Sequence, residues 1–138
     1  MKTFPGSAGY YEVDHTADIA IVVNGDPIAS LFLEALFAMR EIAGVKLQGK
    51  KGKPSRSIIE ANSPESLLVA FLSEAILLLE KNLWTEVSAL KFAEKKMVFA
   101  FQLFHCEATG RQIKAVTYNQ LEIIEHSGLF STTLVFDV

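Results

Sequence analysis

The sequence predicts an α+β fold, a single layered domain over residues 1–138 in which about two helices pack on a mostly antiparallel or mixed β-sheet. Three observations carry this. Two segments repeat their apolar residues at helical spacing, and each opens with a polar residue followed by proline. Several shorter runs alternate apolar and polar residues, and beyond Trp84 the chain becomes rich in aromatic and β-branched residues. At 138 residues, half of them hydrophobic, one chain can bury one sizeable core.

Tyr10–Val13 reads as a short strand, and Ile19–Val23 as a second, with Ile19, Ile21 and Val23 alternating. Asp26 is the expected N-cap of the first helix and Pro27 its first residue. Apolar positions recur from Ile28 through Leu31, Phe32, Ala35, Leu36 and Met39 to Ala43, and Gly44 ends the helix. Lys46, Lys50, Lys51, Lys53 and Arg56, interspersed with Gly49, Gly52 and Pro54, predict a solvated loop. The alternative for this cluster is a contact surface for an acidic partner. A strand around Ser57–Ala61 follows. Ser63-Pro64 opens the second helix, whose stripe includes Leu67, Leu68, Phe71, Leu72, Ala75, Leu78 and Leu79.

Leu90–Phe92 and Val98–Cys106 read as strands joined by a turn at Glu94-Lys95-Lys96. Thr109-Gly110-Arg111 is a further turn, Ile113–Glu125 a long strand, and His126-Ser127-Gly128 another turn. The last strand, Phe130–Phe136, places Phe130, Thr132, Leu134 and Phe136 on one face. Periodicity leaves open whether this half curls into a partial barrel.

The formal net charge of −3 weighs against a protein that grips nucleic acid by its phosphates. The single cysteine, Cys106, excludes an intrachain disulfide and reads as a small buried residue in a strand. Residues Met1 to Gly9 lack the apolar run of a signal peptide. The apolar stretch Leu67–Leu79 is too short to span a bilayer, so the expectation is a soluble cytoplasmic protein with no membrane role.

Three places could carry chemistry. Asp14, His15 and Asp18 fall in one short segment between strands, where aspartates favour a bend. Either an aspartate or Thr16 caps that turn, or the carboxylates belong to a hard-cation site, which needs several oxygen ligands. At the other end, the Asp137 side chain adjoins the terminal carboxylate of Val138; two such groups repel unless a cation joins them, or they mark an ordinary exposed strand end. Lys114, at the start of an apolar run, is either a solvated edge residue or a cation offered to a phosphate or a partner's acid. No glycine-rich phosphate loop, nucleophile elbow or zinc motif occurs, which favours a binding module over an enzyme.

Three segments together resemble the archease family. They are Tyr11-Glu12-Val13-Asp14-His15-Thr16-Ala17-Asp18-Ile19, then Ile113-Lys114-Ala115-Val116-Thr117-Tyr118 with Leu121-Glu122-Ile123, and finally Phe136-Asp137-Val138. The resemblance spans essentially the whole chain. It implies an α+β fold and a bound divalent metal, Ca2+, with Asp18 and Asp137 as side-chain ligands and Val138 as a main-chain or terminal ligand. It assigns Asp14, His15 and Lys114 to further functional positions. The implied partner is the GTP-dependent RNA ligase of the RtcB family. On this resemblance the chain is no catalyst: it promotes guanylylation and multiple turnover of that ligase in tRNA splicing and RNA repair, meeting RNA only through it. Two features depart from the family pattern, Asn119 where a histidine is common and the pair Ala70-Phe71 where an Asp-Trp pair is common. Competing readings are a stand-alone metal-dependent phosphohydrolase, with His15 as base, and a general chaperone-like interaction module.

Overall fold

The computed structural model describes residues 8–13, 18–118 and 120–138. Its elements run β1 (Gly9–Val13), β2 (Ile19–Gly25), α1 (Ile28–Ala43), β3 (Val45–Glu60), α2 (Pro64–Glu80), β4 (Leu83–Ala93), β5 (Lys96–Ala108), β6 (Ala115–Val116), β7 (Ile124–His126) and β8 (Leu129–Asp137). The strands divide between two sheets, and every pairing among them is antiparallel. One sheet has the order β1-β2-β8-β6, with β7 also paired to β8; the other has the order β3-β5-β4. The α+β expectation holds, with two sheets where the sequence suggested one.

Both sheets and both helices feed a single core. The predicted stripes are its helical share: Leu31, Phe32, Ala35, Leu36 and Met39 of α1, and Leu67, Leu68, Phe71, Leu72 and Ala75 of α2, are all buried. α1 packs chiefly on β2 and α2 on β4. Their aromatic residues join the layers: Phe32 lies 5.9 Å from Phe71 and 4.9 Å from Phe92, and Phe71 lies 5.3 Å from Phe99 in an edge contact. Phe71, part of the Ala70-Phe71 departure in α2, is therefore a core residue. Arg40 pairs with Glu86 at 2.6 Å, and the Tyr10 hydroxyl donates to Glu41, tying α1 to β4 and β1.

Ser63 caps α2 as expected, accepting from the Ser66 N–H at 3.1 Å. Gly44 ends α1 in the left-handed conformation, φ 62°. Asp26 does not cap α1. Pro27 occupies that position without a side-chain cap bond, so the helix starts one residue later than its sequence suggests.

The basic segment 46–56 is not a loop. It belongs to β3, which pairs with β5 along its length through shifts of register between Leu47 and Gly49 and between Lys51 and Ser55. The turn-forming residues are absorbed by these irregularities: Gly52 takes φ 73°, and the Gln102 side chain donates to the carbonyls of Lys51 and Gly52 at 3.2 and 3.1 Å. β3 is an edge strand among the described residues, where lysine, glycine and proline are tolerated.

Nor is Ile113–Glu125 one strand. Only Ala115–Val116 and Ile124–His126 pair with β8, and Gln120 between them has φ 63°. The intervening chain bonds largely through side chains: the Ile123 N–H donates to Glu65 Oε2 at 2.9 Å, Tyr118 and Ser66 share a hydrogen bond of 3.0 Å, and the Thr132 hydroxyl of β8 donates to the Glu122 carbonyl at 2.7 Å. Cys106 is buried in β5, as its residue type suggested, and burial pushes its thiol pKa up.

The turn at Thr109-Gly110-Arg111 docks on the end of α1, with the Gly110 N–H donating to the Ala43 carbonyl at 2.9 Å. A Cβ on Gly110 would meet the Ile42 carbonyl oxygen at 2.4 Å. Gly110→Ala should lower the stability measured by urea unfolding by about 1–3 kcal/mol. Ser63→Ala should cost about 1 kcal/mol in the same measurement.

Candidate functional site

Alternation along two paired strands builds the site. β2 and β8 pair from Gly25↔Phe130 to Ile19↔Phe136, with Ile21 opposite Leu134 and Val23 opposite Thr132. Those six central and end residues, Ile19, Ile21, Val23, Thr132, Leu134 and Phe136, are all buried. Neighbouring residues on a strand face opposite ways, so Asp137 points away from this core. Asp18 lies one step beyond Ile19, and continuing the register sets it opposite Asp137. Residues so placed have Cα atoms about 4.5–5.5 Å apart. Both aspartates are half-buried, and Val138 follows at 38% exposure.

Lys114 reaches the same end from the other side of β8. β6 pairs Ala115 with Asp137, and the Lys114 N–H donates to the Asp137 carbonyl at 2.8 Å. Its side chain is exposed. The fold thus gathers Asp18, Asp137, Val138 and Lys114 at one end of the five-stranded sheet. Asp14 and His15 lie outside the described residues, as does Asn119.

Among the described residues, neither Asp18 nor Asp137 forms an ion pair; the pairs present are Arg40–Glu86 and Arg111–Glu12. No cluster of three or more His, Cys, Asp or Glu side chains forms among the described residues. Two adjacent carboxylates with a further oxygen donor beside them fit a hard, oxygen-preferring cation such as Ca2+, with the remaining ligands drawn from main chain or water. Like charges directly opposite each other destabilise a sheet, so a cation would relieve a repulsion the register imposes.

Residues 10–138 match the model of the archease protein family. The chain belongs to that family. It is similar to protein archease of Methanosarcina mazei, at 31% identity over 97% of this chain and 99% of that protein. Against protein archease of Thermoplasma acidophilum the identity is 25%, over 94% and 93% of the two chains. Two solved structures share the fold with a TM-score of 0.70. One is the crystal structure of an archease and possible chaperone from Thermotoga maritima, 24% identical and covering 91% of this chain and 94% of its own. The other is the solution structure of a Methanobacterium thermoautotrophicum protein, 20% identical and covering 94% and 99%. Among the described residues of this archease-family chain, no helix is long and apolar enough to cross a membrane.

One feature of the chain had no signal in its sequence pattern. α2 and the three-stranded sheet enclose a cleft whose wall includes Glu74, Thr85, Phe101 and Leu103. The apolar surroundings raise the Glu74 carboxyl pKa by desolvation, although the side chain is partly exposed. The folded state therefore binds this proton more tightly than the unfolded chain. That contribution is complete below the ordinary glutamate range, about pH 4, and is lost as pH rises through the folded pKa. Glu74→Gln should raise the urea midpoint at pH 7, and the gain should shrink toward pH 4.

Proposed function

We propose that the protein is a metal-binding accessory protein of an RtcB-family, GTP-dependent RNA ligase, promoting its guanylylation and multiple turnover in tRNA splicing and RNA repair in the cytoplasm. It acts on the ligase and does not itself join RNA. What supports this reading is the β2–β8 register, which ends at Ile19↔Phe136 and, continued by one residue, would set Asp18 opposite Asp137, in a chain of the archease family.

Asp18 and Asp137 would hold a divalent ion, Ca2+, through their side chains, with Val138 adding a main-chain or terminal oxygen. Bound there, the ion supplies fixed positive charge at the sheet end. The residues of the chain do the positioning. Asp137 is the last residue of β8 and Asp18 lies in the bend one residue before β2, so the β2–β8 pairing anchors both. Lys114 offers an exposed ammonium beside them, and its backbone N–H engages the Asp137 carbonyl. Asp14 and His15 are proposed to complete the functional surface, on their place in the family signature.

Phosphoryl transfer is assisted mainly by preorganised charge, so a patch of this kind presented to the ligase would help orient its nucleotide triphosphate. RNA is then met only through the ligase. An accessory role also agrees with the chaperone description of the Thermotoga maritima protein, in that both act by binding another protein.

Calorimetric titration with Ca2+ should give an affinity that falls by at least about 10-fold in Asp18→Asn and in Asp137→Asn. Multiple-turnover ligation by the cognate ligase should lose its stimulation in both variants. Without metal, each substitution should leave the unfolding temperature unchanged or raise it, because one of two repelling charges is gone. Undiminished stimulation in both variants contradicts the proposal.

A further inference from the structure

The cleft between α2 and the three-stranded sheet lies apart from the Asp18–Asp137 end, which belongs to the other sheet. Its volume is about 240 Å³. It exists because α2 covers the sheet incompletely. Phe71 seals against Phe99, but β5 continues to Ala108, so Phe101 and Leu103 are only half-buried. On the helix side Leu77 is 57% exposed at the cleft.

We infer that this cleft is the docking site for an acidic segment of a protein partner, which inserts one large aromatic side chain with a polar edge, a tryptophan or a tyrosine. Size supports the ring. A cavity of roughly 150 Å³ holds benzene, so this one has room for a bicyclic ring or a substituted phenyl. Chemistry supports the polar edge. Thr85 lines the cleft and is 94% buried by its 6% exposure, and its hydroxyl is the buried side-chain oxygen left without a hydrogen-bond partner among the described residues. An indole N–H or phenol O–H entering the cleft would supply that hydroxyl with the partner it lacks.

Charge supports the acidic flanks. Residues 45–59 hold Lys46, Lys50, Lys51, Lys53 and Arg56 and no acidic residue, in a chain whose net charge is −3. All five cations are exposed, and none forms an ion pair among the described residues. Of these, the register places Lys51 opposite Leu103 of the cleft wall, whereas Lys50 and Arg56, opposite Phe104 and Ala100, alternate to the other face of the sheet; Lys81 lines the cleft at the end of α2, as does Glu74, whose carboxyl desolvation holds toward the neutral form. An apolar pocket rimmed by charge is the usual anatomy of an anchoring site. The lysines, Pro54 and the register shifts also blunt the β3 edge against strand addition, so the segment docks by its side chain and not as an extra strand.

Selection from a displayed random-peptide library, with the full chain as bait, tests this. The expected peptides carry tryptophan or tyrosine with Asp or Glu neighbours. Their affinity should fall at least 10-fold in Ser57→Phe, which fills the cleft from β3, where a half-buried strand position accepts a phenylalanine. It should also weaken as salt rises from about 50 to about 200 mM. Thr85→Val should cost the tryptophan peptide about 5-fold while leaving its phenylalanine analogue unchanged. That difference would not arise from a general loss of structure. No enrichment, peptides lacking the aromatic or acidic residues, or binding indifferent to both variants would overturn the inference. So would saturable binding of 2-naphthol with no peptide selected, which would assign the cleft to a small molecule.

Discussion

The antiparallel pairing of β2 with β8 joins the two ends of the chain, and both the core and the candidate metal centre depend on it. Ile19, Ile21 and Val23 face Phe136, Leu134 and Thr132 across the ladder, and all are buried. Because side chains alternate with period two, a slip of one residue would turn every one of them to the opposite face of the sheet. The hydrophobic pattern therefore fixes the register strongly. Continued one residue past Ile19 and Phe136, the same register would set Asp18 opposite Asp137. Placing like charges together there is a cost of burying the right residues inside, and a bound cation would turn it into a binding site. β8 also carries β6 on its other edge, which is how Lys114 arrives at the same corner.

The second sheet contributes differently. β3, β5 and β4 share the central core through Ile59, Met97, Phe99 and Trp84. Away from that core, β3 carries a row of exposed cations, and the far half of β5 leaves apolar surface uncovered beside α2. The candidate cation site thus lies on one sheet, and the basic run of β3 and the apolar cleft lie on the other.

Much of this was legible in the sequence because the period of the pattern names the element. The stripes of α1 and α2, the Ser63 cap, the Gly44 terminator and the alternation in β8 all describe local rules that the core reinforces. The basic segment was misread because glycine and proline normally signal a loop, whereas an edge strand can absorb them when a neighbour such as β5 supplies the template. Ile113–Glu125 failed for the opposite reason. Its composition suits a strand, but its centre satisfies its backbone on Glu65 and Thr132 instead. Asp26 lost its capping role to Pro27. The residues alone offered Asp18 and Asp137 as two separate candidate cation sites; only the family resemblance joined them into one, since nothing local in the chain relates two segments so far apart in sequence. The cleft left no trace, because it arises from where a helix stops relative to a strand.

The most direct test of the central claim is paramagnetic broadening of assigned amide resonances by substoichiometric Mn2+, which shares the oxygen preference of Ca2+. If the β2–β8 register builds a cation site, broadening should be confined to residues around Asp18, Ile19, Lys114, Phe136, Asp137 and Val138, and excess Ca2+ should reverse it. Broadening centred elsewhere, or spread evenly over the acidic surface, would contradict the account.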